Sequence, residues 1–306
     1  LELSNARLDY QENLSISNNY KSVKIKTLIA KIQAEKNYKN IRFEQIYSII
    51  NNYFQLYKKI EQQKIVKKKV ELEGRKLQQL KAEVKVGYKK APDKFEQENE
   101  YHNQKIELDN LKRDIALDLA EIKTELGIEN NYKISLEKII IPDRWNLDKK
   151  EITEMAVHNS MDLKILEEKI NLASLELKKA RVGNQASLQI ERLNNNLKLA
   201  RTNYKSVKQE LDQSIKRKFL ILDQAVKKIE IAQNRIEQLK INQSILEDEF
   251  NSGRITGTAL LTADVNLLEA KQRLLESVID YYLTEVELKQ IVGLQVGVSI
   301  DEFTEK

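Results

Sequence analysis

Apolar residues recur in steps of three and four along much of the second half of the chain. The clearest run contains Tyr204, Val207, Leu211, Ile215, Phe219, Leu222, Val226 and Ile229. This spacing keeps one face of an α-helix apolar, and it predicts one continuous helix over Ser187–Ser252. At about 1.5 Å per residue, such a helix is roughly 100 Å long. A first helix of similar length is predicted over Asn19–Val86, which contains no proline.

Two glycine-marked breaks end these long helices. Gly87 can adopt the left-handed conformation that often ends a helix, and Pro92 is expected at the first position of the next helix. The second break combines two glycines with two threonines that can cap a helix: Gly253, Thr256, Gly257 and Thr258. Shorter helices are therefore predicted to run back over Asp93–Leu126 and Thr258–Val292.

The two halves of the chain repeat each other. Shifted by 166 positions (203 − 37), Asn203–Gly293 aligns with Asn37–Gly127 without a gap, and 19 of the 91 pairs are identical. The punctuating glycines coincide, since Gly87 aligns with Gly253. A repeat in this register indicates duplication of one supersecondary unit. The predicted fold class is all-α: two tandem repeats of long antiparallel helical hairpins, with a small mixed connector.

The remaining segments complete this organisation. Within one domain, the predicted parts are a first repeat, a connector and a second repeat with a tail: residues 1–127, 128–153 and 154–306. Residues Ile128–Thr153 carry β-branched residues and Trp145, and we expect them to pack across the outside of the helices. Further helices are predicted over Leu1–Asn13 and Glu154–Val182. Polar turns are expected at Leu14–Asn19 and Gly183–Ala186, and the polar tail Leu294–Lys306 is expected to fray.

The composition is typical of long helices whose polar faces are exposed to water. Charged residues make up 32% of the chain, with a net charge of +5, and there are only two prolines. The longest basic run, Lys67–Lys69, is flanked by Glu61 and Glu71. We interpret this run as a solvated helix face rather than a nucleic-acid site, because nucleic-acid patches are dense and one-sided. The apolar runs are too short to cross a bilayer as helices. No signal peptide opens the sequence, which predicts a mature or trimmed chain.

Candidate chemistry is sparse. The chain has no cysteine, and its two histidines, His102 and His158, lie 56 residues apart (158 − 102) on different predicted helices. No acidic residues are spaced to complete a metal site with either histidine. Nucleophile, P-loop and dinucleotide motifs are missing from the sequence. We therefore predict no enzyme activity, no catalytic residue, no metal and no cofactor.

Three acidic residues near the breaks have two possible roles. Asp93 and Glu96 share one face of the first turn after the first break, and Asp264 lies shortly after the second break, aligned with Glu98. They can complement the dipole at a helix N-terminus. Their second possible role rests on a family resemblance of the repeated hairpins.

The repeated arrangement of long helix, glycine turn and shorter helix resembles the TolC-like outer membrane efflux proteins. The second copy carries the likeness in Phe250–Gly253, Thr256, Ala270–Gln272, Tyr281–Leu283 and Gly293. Met155–Leu163, leading to Ala180 and Arg181, is similar to the segment that opens each copy in that family. The likeness covers nearly the whole chain and implies the protomer of a TolC-type α-barrel.

In that family, three protomers form a hollow helical tunnel through which export substrates pass. The resemblance implies that eight residues form the lower tips of the tunnel: Gly87, Tyr88, Ala91, Pro92, Gly253, Arg254, Thr256 and Gly257. These tips would contact a periplasmic membrane fusion (adaptor) protein, which connects to an inner-membrane transporter. The implied assembly is a homotrimer located in the cell envelope, outside the cytoplasm.

The sequence departs from the family in two places. The aspartates that constrict the family's entrance are replaced here by Ala259 and Thr262, so an acidic ring would have to come from Asp93, Glu96 or Asp264. The family also inserts two β-strands per copy, of ~9–11 residues each, where this chain has only Leu14–Asn19 and Val182–Ala186. We therefore expect that this chain does not itself span a membrane, whether the strands were lost naturally or removed.

Two other classes of protein are compatible with long periodic helices. A coiled-coil scaffold or envelope spacer would need a strict 3.5-residue repeat, whereas the steps from Tyr204 begin 3, 4, 4, 4 and indicate a straighter helix. An adaptor protein would thread one hairpin through β-rich domains, and the sequence predicts none.

Overall fold

The computed structural model describes residues 2–16, 21–129, 131–142 and 148–294. Within these ranges the chain forms helices and irregular segments, and no strand. The helices are α1 (Glu2–Ile16), α2 (Lys21–Lys85), α3 (Ala91–Glu125), α4 (Lys149–Asn159), α5 (Met161–Val182), α6 (Ser187–Asn251) and α7 (Gly257–Val292). The all-α class predicted from the periodicity is confirmed. The two long helices, α2 and α6, each contain 65 residues.

One predicted helix is in fact two. The stretch predicted as Glu154–Val182 is divided at Ser160, whose backbone leaves the helical region with ψ 114°. The Ser160 hydroxyl accepts a hydrogen bond from the Leu163 N–H at 3.3 Å, so this serine caps the start of α5. The apolar period continues across a single non-helical residue, which is why periodicity missed the break.

Other boundaries also differ from the sequence prediction. Helix α4 begins at Lys149, inside the predicted connector, because the Asp148 carboxylate accepts a hydrogen bond from the Lys150 N–H at 3.1 Å and caps it. Helix α1 extends to Ile16, into the predicted turn. Trp145, the end of that turn at residues 17–19 and the tail from residue 295 onward lie outside the described residues.

The repeat is visible in the backbone at the ends of four helices. Gly87, Gly127, Gly253 and Gly293 have φ of 83°, 66°, 72° and 81°. At the first of them the Tyr88 N–H donates to the Glu83 carbonyl at 2.9 Å, and at its counterpart the Arg254 N–H donates to the Glu249 carbonyl at 2.8 Å. Each glycine N–H also donates to the carbonyl three residues earlier, which completes a Schellman motif. The four motifs form two pairs, each separated by the 166 residues of the repeat.

The chain forms two compact units, and each contains parts of both repeats. Unit 1 comprises Leu1–Tyr47, Trp145–Ile221 and Thr284–Lys306; unit 2 comprises Ser48–Arg144 and Leu222–Leu283. The division into residues 1–127, 128–153 and 154–306 stays a prediction.

In unit 1, polar contacts connect the helices in the order α1, α2, α5, α6. Arg7 on α1 pairs with Glu35 on α2 at 3.5 Å. Lys36 on α2 pairs with Asp162 on α5 at 2.6 Å. From α6, the Tyr204 hydroxyl donates to Glu167 on α5 at 3.1 Å.

Elsewhere in unit 1, α4 meets the end of α7. The Asn159 side-chain amide donates to the Val292 carbonyl at 2.8 Å. A Cβ on Gly293 would lie 2.9 Å from that of Asn159, so the close approach requires glycine here.

In unit 2, the helices contact one another in the order α3, α2, α7, α6. Four buried residues form the apolar contact of α2 with α7: Ile65, Leu72, Leu261 and Val265. A second cluster joins α7 to α6 through Ile236, Leu267 and Ala270. Between α2 and α3, Lys59 pairs with Asp118 at 2.7 Å. Helix α2 therefore lies between α3 and α7, the shorter helices of the two hairpins.

Charge also holds α2 between these neighbours. Helix α2 contains 17 basic and 6 acidic residues, a net +11. By the same count α3 carries net −5, from 5 basic and 10 acidic residues, and α7 carries net −3, from 3 and 6. Lys81 pairs with Glu98 on α3 at 3.0 Å, and Lys69 pairs with Glu269 on α7 at 2.8 Å. Opposite net charges on adjacent helices favour this arrangement.

The basic run Lys67–Lys69 takes part in these contacts. The sequence favoured a solvated helix face, but Lys68 pairs with Asp264 at 3.3 Å and Lys69 pairs with Glu269, both on α7. Lys67 is exposed. Lys68 and Lys69 are therefore partly exposed and also paired across the helix contact, because α7 brings acids that the local sequence does not contain.

Residues 131–142 of the predicted connector belong to unit 2, where they pack on its helices without forming a strand. The Tyr53 hydroxyl of α2 donates to the Glu137 carbonyl at 3.0 Å, and the Tyr282 hydroxyl of α7 donates to the Ile140 carbonyl at 3.2 Å. The connector therefore lies on a face shared by α2 and α7.

We predict that Gly253→Ala lowers the free energy of unfolding by about 1 kcal/mol or more, because alanine is strained at positive φ. No atom lies within 4 Å of an added Cβ, so a steric clash contributes nothing to this loss. Gly253→Asn should cost less, since asparagine tolerates the left-handed region. Urea unfolding of the two variants measures the difference, and equal stability of Ala and Asn would contradict the backbone explanation.

A second prediction concerns the ion pair of Glu98. The hydrogen bond from Lys81 lowers the pKa of the Glu98 carboxyl below its ordinary 4.5. A carboxylate with a lowered pKa stabilises the fold above its unfolded pKa, and this contribution is lost as the pH falls through the folded pKa. Glu98→Gln should therefore lower the urea midpoint at pH 7, and should lower it less at about pH 3, below the ordinary pKa of a carboxyl group.

Glu96→Gln, an exposed neighbour on the same helix, serves as the control and should change the midpoint less at pH 7. A loss in Glu98→Gln that is the same at both pH values would mean that packing, rather than charge, is responsible.

Candidate functional site

The two breaks between long and short helices form exposed turns in unit 2, and they contain the predicted tip residues. At the first turn, Tyr88 is 84% exposed and Val86 is 64% exposed. Ala91 and Pro92, which open α3, are also exposed. Space around Gly87 is open, since nothing lies within 4 Å of where its Cβ would be. The first turn therefore presents apolar side chains that the described part of the chain leaves exposed.

The start of α3 differs slightly from the sequence prediction. Pro92 occupies the second position of the helix rather than the first, since α3 begins at Ala91. Proline is tolerated at either position because no intrahelical acceptor lies opposite its nitrogen. Asp93 follows at the third position, where its carboxylate accepts a hydrogen bond from the Lys90 N–H at 3.2 Å. Asp93 thus satisfies a backbone donor at the helix N-terminus, one of its two predicted roles.

The second turn is more closely packed. The Arg254 guanidinium donates to the Ser252 hydroxyl at 2.9 Å, and Arg254 is exposed. Thr256 precedes the first residue of α7, and its hydroxyl lies 2.8 Å from that of Thr258. The turn is thus held by short-range hydrogen bonds while its charged end faces outward.

Two side chains approach Gly257 closely. A Cβ at this position would lie 2.9 Å from an Arg75 guanidinium nitrogen and 3.5 Å from the Phe250 ring. Arg75 belongs to α2 and pairs with Glu71 at 3.2 Å. The side chains of α2 therefore pack against the second turn. Sequence reasoning missed Arg75, because the only local signal was a second glycine in the break.

The three candidate constriction acids do not lie together. Asp93 lies in the first turn of α3, and Glu96 lies three residues further on, where it is exposed. Asp264 lies in the second turn of α7, where its carboxylate pairs with Lys68 at 3.3 Å and accepts a hydrogen bond from the Gln243 amide at 2.7 Å. Its side chain is only 23% exposed. Asp264 thus joins α2, α6 and α7, a structural role that its sequence position did not indicate.

The repeat relates Asp264 to Glu98, and both acids pair with a lysine of α2. Glu98 pairs with Lys81 on the α3 side, and Asp264 pairs with Lys68 on the α7 side. The burial of Lys68 lowers its pKa, but the hydrogen bonds to Glu71 and Asp264 outweigh this effect, so the pKa is raised.

No metal or membrane-spanning site emerges from the described residues. His102 and His158 lie on α3 and α4, and no group of three His, Cys, Asp or Glu side chains within the described ranges could hold a metal ion. Among these residues, every helix also lacks an apolar stretch of the length and hydropathy that crossing a membrane requires.

Comparison of the sequence with known families and proteins found no match. No family model matches the chain. No curated protein matches it either.

Comparison with solved structures found outer membrane channels. The Campylobacter jejuni outer membrane channel CmeC aligns with 93% of this chain and 71% of its own chain, with a TM-score of 0.63 and 13% identity. CusC, whose structures concern transmembrane channel formation, aligns over 95% and 90%, with a TM-score of 0.63 and 12% identity. The Vibrio cholerae outer membrane protein VceC aligns over 95% and 91%, with a TM-score of 0.61 and 12% identity.

These similarities extend over nearly the whole chain, at sequence identities that show the fold alone. The matched proteins are channels rather than enzymes, in agreement with the predicted lack of enzyme activity. The chain therefore has the fold of the TolC-type outer membrane efflux channels, as its sequence resemblance implied.

Proposed function

We propose that this protein forms the wall of an export duct in the cell envelope, through which substrates leave the cell. The observation that carries this proposal is the alignment of 93–95% of the chain with outer membrane channels at TM-scores above 0.6. The duct would lie outside the cytoplasm, either in the periplasm or associated with the outer membrane. No cofactor takes part in this function.

The duct would be a homotrimer. In unit 2, the contact order α3, α2, α7, α6 places two helices in the middle and one at each end. Such an arrangement supports assembly in which the end helices of neighbouring copies meet. Nearly straight helices placed side by side fit the wall of a tunnel better than they fit a two-stranded coiled-coil rod.

The exposed turns would dock to the α-helical hairpins of a membrane fusion (adaptor) protein, and through it to an inner-membrane transporter. The docking residues would be Gly87, Tyr88, Ala91, Pro92, Gly253, Arg254, Thr256 and Gly257. Two features support this role: the first turn exposes Tyr88 and Val86, and the second turn exposes the charge of Arg254. Exposed aromatic and arginine side chains are the residues that most often anchor protein interfaces.

Cross-linking from the second turn tests the proposed function. The chain has no cysteine, so Arg254→Cys provides one reactive thiol at the turn. A thiol cross-linker should join this variant to the hairpin of at least one purified adaptor protein from a panel. Arg201→Cys, an exposed α6 position 53 residues earlier (254 − 201), is the matched control and should give no product.

The mass of the assembly in solution is measured alongside the cross-linking, and a trimer is the expected result. A stable dimer that cross-links to no adaptor would contradict the duct and favour a coiled-coil scaffold. Tyr88→Ala should weaken docking without changing the unfolding midpoint, because the side chain is almost fully exposed.

A further proposal concerns the pore. Asp93 and Glu96 would form an acidic constriction at the entrance, since the carboxylates near the start of α3 in three copies would face one another there. The double variant Asp93→Asn with Glu96→Gln should raise the conductance of the assembled tunnel or its leak. Asp264→Asn is the contrasting variant: it should lower stability by about 0.5–1 kcal/mol, the usual worth of a partly exposed ion pair.

Unchanged conductance in the double variant would mean that both acids act only at the helix N-terminus and do not constrict the pore. An increase in conductance with Asp264→Asn alone would instead place the constriction on α7.

A further inference from the structure

One side of the α2–α3 hairpin in unit 2 carries a mostly charged stripe on each helix. The stripe on α2 has seven positions: Lys64, Lys67, Glu71, Arg75, Gln78, Ala82 and Lys85. The stripe on α3 has six positions: Lys94, Glu98, His102, Lys105, Asp109 and Lys112. Their steps of three and four keep each stripe on one helix face. Together the two stripes, here called the basic face, contain seven basic and three acidic residues, a net charge of +4 (7 − 3).

The two stripes run beside each other. Antiparallel helices in contact keep a nearly constant sum of the numbers of facing residues. Two ion pairs between these helices give sums of 177 and 179: Lys59 with Asp118, and Lys81 with Glu98. In this register Lys64 lies level with Lys112, and Lys85 lies level with Lys94. The basic face is therefore a double row about 30 Å long, since it spans 21 residues of α2 (85 − 64) at ~1.5 Å each.

The basic face lies on the same side of unit 2 as the connector. The Tyr53 hydroxyl of α2 donates to a connector carbonyl, and at ~100° per residue the α2 stripe stays within about 40° of Tyr53. Tyr282 of α7 also donates to the connector, and its counterpart on α3 in the repeat is Ala116 (282 − 166). The α3 stripe stays within about 40° of Ala116. Both stripes thus face the same way.

The bases of this face are exposed, and three of them have no acidic partner. Each of the three acids of the face pairs with a base of α2 or α3. Lys67, Lys85 and Lys105 are exposed and form no ion pair within the described residues. The positive charge of the face is therefore left over after the ion pairs of the hairpin have formed.

The opposite side of α3 carries the reverse charge. Five exposed acids recur there: Glu96, Glu100, Glu107, Asp114 and Glu121. Each lies about 140–180° from Ala116 around the helix. A helix that is merely solvated mixes the two signs on its faces. On α3 the signs are sorted instead, which indicates that the basic face has a partner of its own.

We infer that the basic face binds a linear acidic polymer of the cell envelope. Positive charges that recur along about 30 Å match a polymer whose negative charges recur along its length, and each contact releases a counterion from the polymer. Six of the seven bases are lysines, whose compact charge on a flexible stem does not require the fixed geometry of an arginine fork. The inference goes beyond the proposed duct and rests on it only for the location of the polymer.

The composition of the face favours a polymer over a protein or a lipid bilayer. Neither stripe contains a large apolar residue between its first and last lysine. Protein interfaces are depleted in lysine and anchored by aromatic side chains. Helices that bind a membrane surface insert large apolar side chains into the lipid. A face built almost entirely of charged and amide side chains fits a hydrated polymer best.

Binding of two labelled polymers to the whole chain, poly-L-glutamate and polyphosphate, tests the inference. Lys67→Gln with Lys105→Gln should weaken binding about fivefold or more, and should reduce the slope of log affinity against log salt by roughly 1–2, because two fewer counterions are released. The matched control, Lys205→Gln with Lys228→Gln, removes the same charge from exposed positions of α6 and should change the affinity less than about twofold. Fluorescence anisotropy at several salt concentrations measures both effects.

Every outcome of this experiment decides the inference. Binding of either polymer that depends on Lys67 and Lys105 supports it, and the polymer bound more tightly shows whether carboxylate or phosphate is the natural charge. Equal losses in the two double variants would mean that net charge alone attracts the polymer, and would overturn the inference. So would the absence of binding to either polymer. Vesicles of phosphatidylglycerol bound in preference to both polymers would assign the face to a lipid surface instead.

The unfolding midpoint shows that the variants are folded. It should be unchanged in both double variants, because the replaced lysines are exposed and form no ion pair within the described residues.

The cross-linking variant Arg254→Cys separates this inference from the proposed function. Added to Lys67→Gln with Lys105→Gln, it should still join an adaptor while polymer binding falls, which supports both. A chain that binds polymer through these lysines but forms no trimer and joins no adaptor contradicts the duct and leaves the basic face standing. A trimer that joins an adaptor but binds neither polymer leaves the duct standing and overturns the inference.

Discussion

The structure depends on the packing of one long basic helix between two acidic ones. Helix α2 carries a net charge of +11, and it contacts α3 and α7, which carry −5 and −3. Its apolar residues supply most of the driving force, since the buried cluster of Ile65 and Leu72 with α7 removes apolar surface from water. The flanking ion pairs, such as Lys59 with Asp118, add little free energy individually but select the neighbours. Helix α2 thereby joins the two hairpins in unit 2.

The same backbone turn serves two different surfaces. Gly87 and Gly253 both end a long helix with a Schellman motif, and the hydrogen bonds match residue for residue across the repeat. This motif fixes only the backbone, so the side chains around it are free to differ. The first turn exposes Tyr88, whereas the second packs against Arg75 of α2. Divergence of the side chains on a shared backbone explains how a duplicated hairpin presents two different turn surfaces.

The repeat also relates a buried helix contact to an exposed surface. The contact of α2 with α7 is buried, whereas the corresponding faces of α6 and α3 expose Ile231 and Ile106. Within the described residues of unit 2, the same helix pattern therefore forms a covered face in one copy of the repeat and an exposed face in the other.

Sequence by itself determined the local structure. The apolar period set the long helices within about two residues of their observed ends, because side chains three and four residues apart share a helix face. The glycines and the repeat fixed where the chain turns, since few residues other than glycine accept positive φ. The break at Ser160 was missed, because one capping serine interrupts the helix without disturbing the period around it.

Only the tertiary structure decided which residues meet. The roles of Lys68, Lys69 and Asp264 follow from α2 lying beside α7, and the local sequence of each helix contains no information about that neighbour. The same holds for Arg75 over the second turn and for the exposure of Ile106 and Ile231. A helix period reports which side chains share a face. Which helix covers that face depends on contacts between residues some two hundred positions apart along the chain.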